Sequence, residues 1–408
     1  MPADGTPEVR PPTPGFADLP ATVRRLLTGA AGGLEAGATA GVERAERVAV
    51  VLLDAFGWRF AERHAEHPLL RRIATQGSVM PLAAQFPSTT AAHVTTIHTG
   101  RPVGEHGVYE WNVYEPVLDA VVTPIIYSWA GRFEADSLAG SGASIRDIVP
   151  PGTIYQALAG EGVHSVALQP AAFSPSTYDS VVTEGAELRP YDSIADGARE
   201  LARALGEPGP RYVYLYWHEI DAIGHEQGPD SPDFEAACVS ALSALEAALF
   251  GPAAGLPGGA VLLMTADHGQ VATDPRRVDY LEDHLPGVRD YLRRGAGGRP
   301  LGPAGSARDV FLHTVPGRAE ELAAVLGAAL GERAEVITTA DLEAAGAFGK
   351  VGPRLRERLA DVCVLPGPGR MAWLREHAGV ERRFRGHHGG MTDAESVTWL
   401  GTIPLERS

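Results

Sequence analysis

VAVVLLDAFGW, residues 48–58, is the stretch on which the fold turns. Val48–Leu53 is a short apolar run with strand character, and it stops abruptly at a carboxylate, Asp54. Runs of the same kind recur at Ser165–Leu168, Tyr212–Tyr216 and Ala260–Met264, with Ala-rich helical stretches such as Ser193–Leu205 and Phe234–Leu249 between them. That alternation predicts an α/β fold, a doubly wound and largely parallel sheet flanked by helices.

The rest of the chain is organised around this pattern. Residues 1–45 are rich in Pro, Gly and Ala, carry one short helical pattern at Ala21–Leu27, and are expected to form an amino-terminal extension packed on the main body. Residues 46–286 and 361–408 are read as the α/β core. Between 287 and 360 the texture changes to a Gly/Pro-rich opening (Arg294–Gly305), a strand candidate Asp309–Thr314, a helix Ala319–Leu330, a second strand candidate Glu335–Thr339 and a segment Leu342–Leu359. This stretch is expected to be an inserted α+β cap subdomain over the functional site, because it leaves and rejoins the core near strand ends. Val362–Leu365 is expected to return the chain to the core. No repeat at a solenoid period is present.

Bulk properties narrow the function. A chain of 408 residues, 44% hydrophobic and 21% charged, has the proportions of a globular protein with a large core. A formal charge of −16 argues against a surface for duplex nucleic acid or anionic membrane, because such binders neutralise phosphates with Lys and Arg. An anionic substrate would need bound divalent cations to reverse the local field. Cys238 and Cys363 match no CxxC spacing and are read as buried thiols. The amino terminus, MPADGTPEVRPPTPGFADLP, has neither a basic start nor an apolar run, and no stretch approaches the ~18 apolar residues of a membrane span. A cytoplasmic protein is expected.

In doubly wound sheets functional groups collect at the carboxyl ends of strands, so the polar residues just beyond each strand candidate are informative. Asp54 follows the first; Trp217-His218-Glu219-Ile220-Asp221 follows another, with His225 four residues on; Asp267-His268-Gly269 follows a third; and Gly386-His387-His388-Gly389 lies in the final segment. Each piece alone has an ordinary explanation: a helix N-cap or turn at Asp54, a surface pair on a helix for Asp221 and His225, a turn at Asp267-His268, a solvated loop at His387-His388. Together they supply three carboxylates and three imidazoles, a set suited to Zn²⁺ or a similar divalent ion in an open, N/O-ligated catalytic site. His218 and Glu219, beside these ligands, either orient them or pack.

A nucleophile candidate lies in FPSTTAAHVTTIHTG, residues 86–100. Pro87 and Ser88 lead into a helix-capable run that Gly100 stops, so the nearby hydroxyls belong close to a helix amino terminus, where unpaired N–H groups favour an anion. On this stretch alone, Ser88, Thr89 or Thr90 could equally be a plain N-cap.

In this order, Asp54, Thr90, Asp221, His225, Asp267, His268 and His388 resemble the nucleotide pyrophosphatase/phosphodiesterase branch of the alkaline phosphatase superfamily, which also includes phosphonoacetate hydrolase. The resemblance spans roughly residues 47–270 and 361–395. Its anchors are D-x-x-x-W at Asp54, T followed nine residues later by T-G-R-P-x-x-x-H-G at Thr90, D-x-x-G-H at Asp221, A-D-H-G at Asp267 and H-H-G-G at His387. It implies one metal ion held by Asp54, Asp267 and His268 beside the Thr90 oxygen, and a second held by Asp221, His225 and His388. Counting back from Thr99-Gly100 places the nucleophile at Thr90 rather than Thr89, and Asn112 aligns with the asparagine that bonds a phosphoryl oxygen. The position after the nucleophile, aromatic in nucleotide-cleaving relatives, is Ala91; Trp111, Tyr109 or Tyr114 could take over its stacking role. No C/S-x-P-x-R segment is present, which disfavours the sulfatase branch.

The resemblance therefore implies a two-metal hydrolase that cleaves a phosphodiester or nucleotide pyrophosphate through a phospho-threonine intermediate. The ions would be zinc, with manganese as the alternative, and the substrate a small phosphate- or phosphonate-containing anion. A carbon–phosphorus hydrolase or a phosphomonoesterase on the same site, and a non-catalytic metal-stabilised binding protein, are the competing readings.

Overall fold

A computed structural model describes residues 15–252, 255–256, 258–375 and 383–405. The first fourteen residues of the expected extension and residues 376–382 and 406–408 of the final segment lie outside the described residues.

Seven strands form the central sheet: β1 (Arg47–Leu53), β2 (Ser78–Ala83), β3 (His164–Pro170), β4 (Ala186–Tyr191), β5 (Arg211–Trp217), β6 (Ala260–Thr265) and β7 (Val397–Leu405), in the spatial order β2-β7-β6-β1-β5-β3-β4. Every pairing is parallel except those of β7, which runs antiparallel to both β2 and β6. Helices cover both faces, so β1 is buried at every position and, after Arg47, apolar throughout rather than at alternate residues. Its side chains alternate between two cores. Val48, Val50 and Leu52 join Leu19, Val23 and Leu26 of the helix Leu19–Thr28, while Ala49, Val51 and Leu53 join the helices Ile194–Gly206 and Pro232–Phe250. Each fully buried Val or Leu in these layers contributes about 1.5–3 kcal/mol relative to exposure.

Two further helices position chemistry: α1 (Thr90–Thr99) and α2 (Glu219–Gln227). A small antiparallel sheet, Val113–Glu115 with Ala120–Thr123 and Ser128–Trp129, follows α1 and left no readable trace in the sequence.

The stretch read as an insert builds a four-stranded antiparallel sheet ordered Ala304–Ser306, Asp309–Leu312, Val362–Pro366, Ala334–Thr338. Val362–Leu365, expected to rejoin the core, is thus an interior strand of this second sheet, where both its neighbours cover its apolar run. Leu342–Leu359 is split between two short helices, Thr339–Ala344 and Pro353–Arg358. Phe311, Leu342, Phe348 and Leu355 share a buried cluster with Phe86, Ala91 and Tyr109, so this unit packs behind α1. A buried ion pair ties it down: Arg308 Nε and Nη2 donate to the two Glu395 carboxylate oxygens, each at 2.9 Å, and Nη1 donates to the carbonyls of Pro366, Gly367 and Arg370. Cys238 and Cys363 are buried free thiols. Among the described residues no helix is long and apolar enough to cross a membrane.

Candidate active site

Strands β6, β1 and β5 are adjacent and parallel, so their carboxyl ends deliver Asp267-His268, Asp54 and the start of α2 to one place. Four residues apart on α2, His225 Nε2 lies 3.1 Å from Asp221 Oδ2. His388 follows the two-residue strand Gly386–His387, which pairs with Val271–Ala272, and its Nε2 lies 3.7 Å from Asp221 Oδ1. His268 Nε2 is 3.5 Å from both Asp54 Oδ1 and Asp267 Oδ2, and its ring stacks on His388 with centroids 3.6 Å apart. Among the described residues, two groups of donor atoms are tight enough to hold an ion: Asp221 with His225 and His388, and Asp54 with Asp221 and His268. Asp221 stands in both. Asp267, expected beside Asp54 and His268, keeps a buried Oδ2 with no hydrogen-bond partner facing His268.

The donor set fits metal ions in a further respect. The Nδ1 atoms of His225, His268 and His388 lie 2.8, 2.9 and 3.0 Å from the carbonyls of Gly386, Gly269 and Ser88. A carbonyl only accepts, so each Nδ1 carries a proton and Nε2 is the ring atom left to face the carboxylates, the arrangement that orients metal-ligating histidines. Two supporting residues escaped sequence reasoning. Gln270 Nε2 donates to Asp221 Oδ1 at 2.8 Å, and the Tyr216 hydroxyl donates to Asp54 Oδ2. Gln270 was detectable only as a neighbour of Asp267-His268, and Tyr216 only as the third of the alternating tyrosines Tyr212, Tyr214 and Tyr216 on one face of β5.

Thr90 is the first residue of α1 and is half-buried. Its Oγ1 lies 3.3 and 3.4 Å from the two Asp54 oxygens and 3.1 Å from His268 Nε2. The rival hydroxyls face elsewhere: Thr89, the N-cap residue, is buried and donates to Tyr109 O at 3.3 Å, and Ser88 donates to Gly390 O at 2.9 Å. Asn112 departs from expectation. Backbone pairing with Gly305 draws it toward the second sheet, where Nδ2 donates to Gly305 O at 3.2 Å and Oδ1 accepts from Thr123 Oγ1 at 2.9 Å. Its amide is buried outside the cavity, whose wall at this point is Glu110 and Trp111.

Crowding three carboxyls in a buried place perturbs them. Burial, reinforced by the charges of Asp267 and Asp221, pushes the Asp54 carboxyl well above its ordinary range, and burial likewise raises Asp267. Burial opposes ionisation of Asp221 too, but the surrounding His225, His388 and His268 outweigh it and hold that carboxyl below its usual range. Burial, with His268 beside it, pushes the His388 imidazole well below its usual range. Burial and the neighbouring Asp54 raise the Tyr216 phenol, so it stays a donor. The cluster is an anionic hole ready for divalent charge.

Above it opens a cavity of about 740 Å³, whose walls include Trp111, Ile125, Phe133, Phe173 and Pro175. Of the aromatics considered for stacking, only Trp111 lines it: Tyr109 is buried against Phe311, and Tyr114 packs on His313. His218 also lines the cavity, edge-on to Phe173, whereas Glu219 is exposed outside it. The unit expected to cap the site presents Ser306 alone among the described lining residues.

The model of the family described as type I phosphodiesterase / nucleotide pyrophosphatase matches residues 48–391. No curated protein matches the chain. Among solved structures, murine ectonucleotide pyrophosphatase / phosphodiesterase 5 aligns with a TM-score of 0.65 at 18% identity over 87% of each chain. An inactive variant of that murine protein in complex with AMP gives the same figures, 0.65, 18% and 87% of each chain. The human counterpart aligns with a TM-score of 0.62 at 17% identity over 87% of each chain. At such identities the likeness establishes a shared fold.

Proposed function

Since this chain belongs to the type I phosphodiesterase / nucleotide pyrophosphatase family, whose members are metal-dependent hydrolases, we propose that it cleaves a phosphodiester or nucleotide pyrophosphate through a phospho-threonine at Thr90. The observation that carries this reading is the Thr90 hydroxyl, 3.3 Å from Asp54 and 3.1 Å from His268 at the head of a helix and at the base of the cavity. Two divalent ions would be held by Asp54, Asp267 and His268 and by Asp221, His225 and His388, with Asp221 placed to serve both. When bound, such ions supply positive charge that lowers the hydroxyl's pKa and offsets charge building on the phosphoryl group. Three imidazoles among the six ligands favour zinc, with manganese as the alternative.

The chain's own part is then positional. Thr90 Oγ1, its proton passed to solvent in the open cavity, attacks phosphorus in line with the departing oxygen; the Oγ1–P bond forms as the bond to the leaving group breaks, and that oxygen leaves with the electron pair and takes up a proton from water. First-turn N–H groups of α1, which have no helical carbonyl to bond, favour the phosphoryl oxygens. Water then hydrolyses the phospho-threonine and restores the hydroxyl. The AMP complex of the murine relative supports a small organic phosphate as ligand, and the cavity has a suitable size for one.

Thr90→Ala should lower turnover by about a thousandfold or more while metal content stays unchanged. Thr89→Ala, which removes one long hydrogen bond to Tyr109, should do far less. Near-normal turnover in Thr90→Ala, or a collapse confined to Thr89→Ala, would overturn the assignment.

A further inference from the structure

The described residues around the cavity over Thr90 carry carboxylates and apolar side chains, with hydroxyl and imidazole groups between them. Among its described lining residues there is no Lys or Arg, whereas Glu110, Asp136, Asp179 and Glu226 add carboxylates beyond those of the metal-ligand cluster, Asp136 and Glu226 being the exposed pair. Its apolar wall includes Trp111, Ile125, Ile126, Ala171 and Pro175. Phe133 and Phe173 also line it, although they are 55% and 44% exposed, an unusual state for side chains that gain so much from burial. Phe173 is held edge-on against His218 at 4.9 Å and Phe384 stacks on His225 at 4.3 Å, so aromatic surface continues down to the ligand cluster.

A diester carries one negative charge, and a pair of divalent ions held by the carboxylates of Asp54, Asp221 and Asp267 would leave about one net positive charge to match it. Each further phosphate would extend away from those ions into the rest of the cavity. Sites that hold polyphosphates supply guanidinium or ammonium groups there; the described residues of this one supply carboxylates, neutral hydroxyls and hydrocarbon. Resting on the phosphodiesterase reading above, we infer that the substrate is a single-phosphate diester whose organic group beyond the scissile phosphate is uncharged and apolar, and that Asp136 and Glu226 reject a second phosphate.

The experiment compares kcat/KM for bis-p-nitrophenyl phosphate, ATP and diadenosine tetraphosphate on metal-replete protein at constant free metal ion. Alongside it, calorimetry measures the affinity of the Thr90→Ala protein for AMP and for ADP. The diester should exceed both polyphosphates by about a hundredfold in kcat/KM, and AMP should bind about tenfold more tightly than ADP. Neutralising Asp136→Asn together with Glu226→Gln should shrink the diester-to-ATP ratio by on the order of tenfold, mainly through KM for ATP. ATP turned over as well as the diester, or ADP bound as tightly as AMP, overturns the inference and leaves the phosphodiesterase reading standing. Failure to turn over any of the three esters sinks the phosphodiesterase reading itself, while the AMP and ADP affinities still decide whether the cavity rejects a second phosphate.

Discussion

Asp54 and Asp267 hold their protons more tightly than free carboxyls do, and this sets a pH dependence. Both are raised chiefly by burial, so between the unfolded value near ~3.9 and their folded values the folded chain keeps protons that the unfolded chain has released. Stability of the metal-free protein therefore falls as pH rises through that window. Asp221 acts in the opposite sense: its carboxyl is depressed, so its contribution is present above the unfolded value and lost as pH drops. A divalent ion held as proposed would displace the protons of Asp54 and Asp267, so the gain in Tm on saturating zinc should be larger at pH 8 than at pH 5. Equal gains, or a larger one at pH 5, would contradict this account. That these side chains would meet was legible because carboxylates and imidazoles directly follow the strand runs. Asn112 misled because linear spacing says nothing about which neighbour its amide will bond, and here Gly305 and Thr123 claim it. Gln270 and Tyr216 act only through Asp221 and Asp54, a relation invisible until the strands are side by side.

At the scale of elements, the loops after β1 and β6 must cross closely to bring Asp54 to Asp267. A Cβ on Gly57 would lie 2.6 Å from the Gly269 Cα and 2.8 Å from its nitrogen, a collision with backbone that cannot rotate away. Gly57→Ala should destabilise by about 2–3 kcal/mol in urea unfolding and lower metal content, because the two ligand loops separate. Gly37→Ala, with open space around it, is the control. Normal metal content in Gly57→Ala would show that the crossing does not position the ligands. The central strands β1, β3, β5 and β6 were readable because burial on both faces leaves an apolar run within each, short in β3, where Val166–Leu168 carries it. Edge strands β2 and β4 are half-exposed and mixed in composition, and β7 is interrupted by Gly401 and Pro404, so none announced itself. Val362–Pro366 had a clear strand pattern but no mark of which sheet it would enter, since partner choice is a long-range property.

For the whole molecule, the alternation of apolar runs and helical stretches sufficed for the fold class, whereas the placement of the second sheet depends on contacts across the chain. Arg308 and Glu395 fasten that sheet to the segment before β7 in a fully buried pair. Glu395→Gln would strand a guanidinium in the interior and should cost about 3–5 kcal/mol, read as a lower urea midpoint. Glu321→Gln, at an exposed pair with Arg318, should leave the midpoint where it is. An unchanged midpoint in Glu395→Gln would mean that water reaches Arg308 and that the two units are less firmly joined than the pair implies.

The position of β7 bears on how the chain is made. It lies between β2 and β6, though both are translated long before it. While the ribosome is still working through residues 266–396, the Ala260–Thr265 edge displays unpaired N–H and C=O groups on a flat apolar strand, the kind of edge that recruits another nascent chain. The residues delivering His388 emerge in the same late interval. A chain released early would thus lack an imidazole of the site and also carry an open, sticky margin, which makes it a natural client for chaperones and proteases.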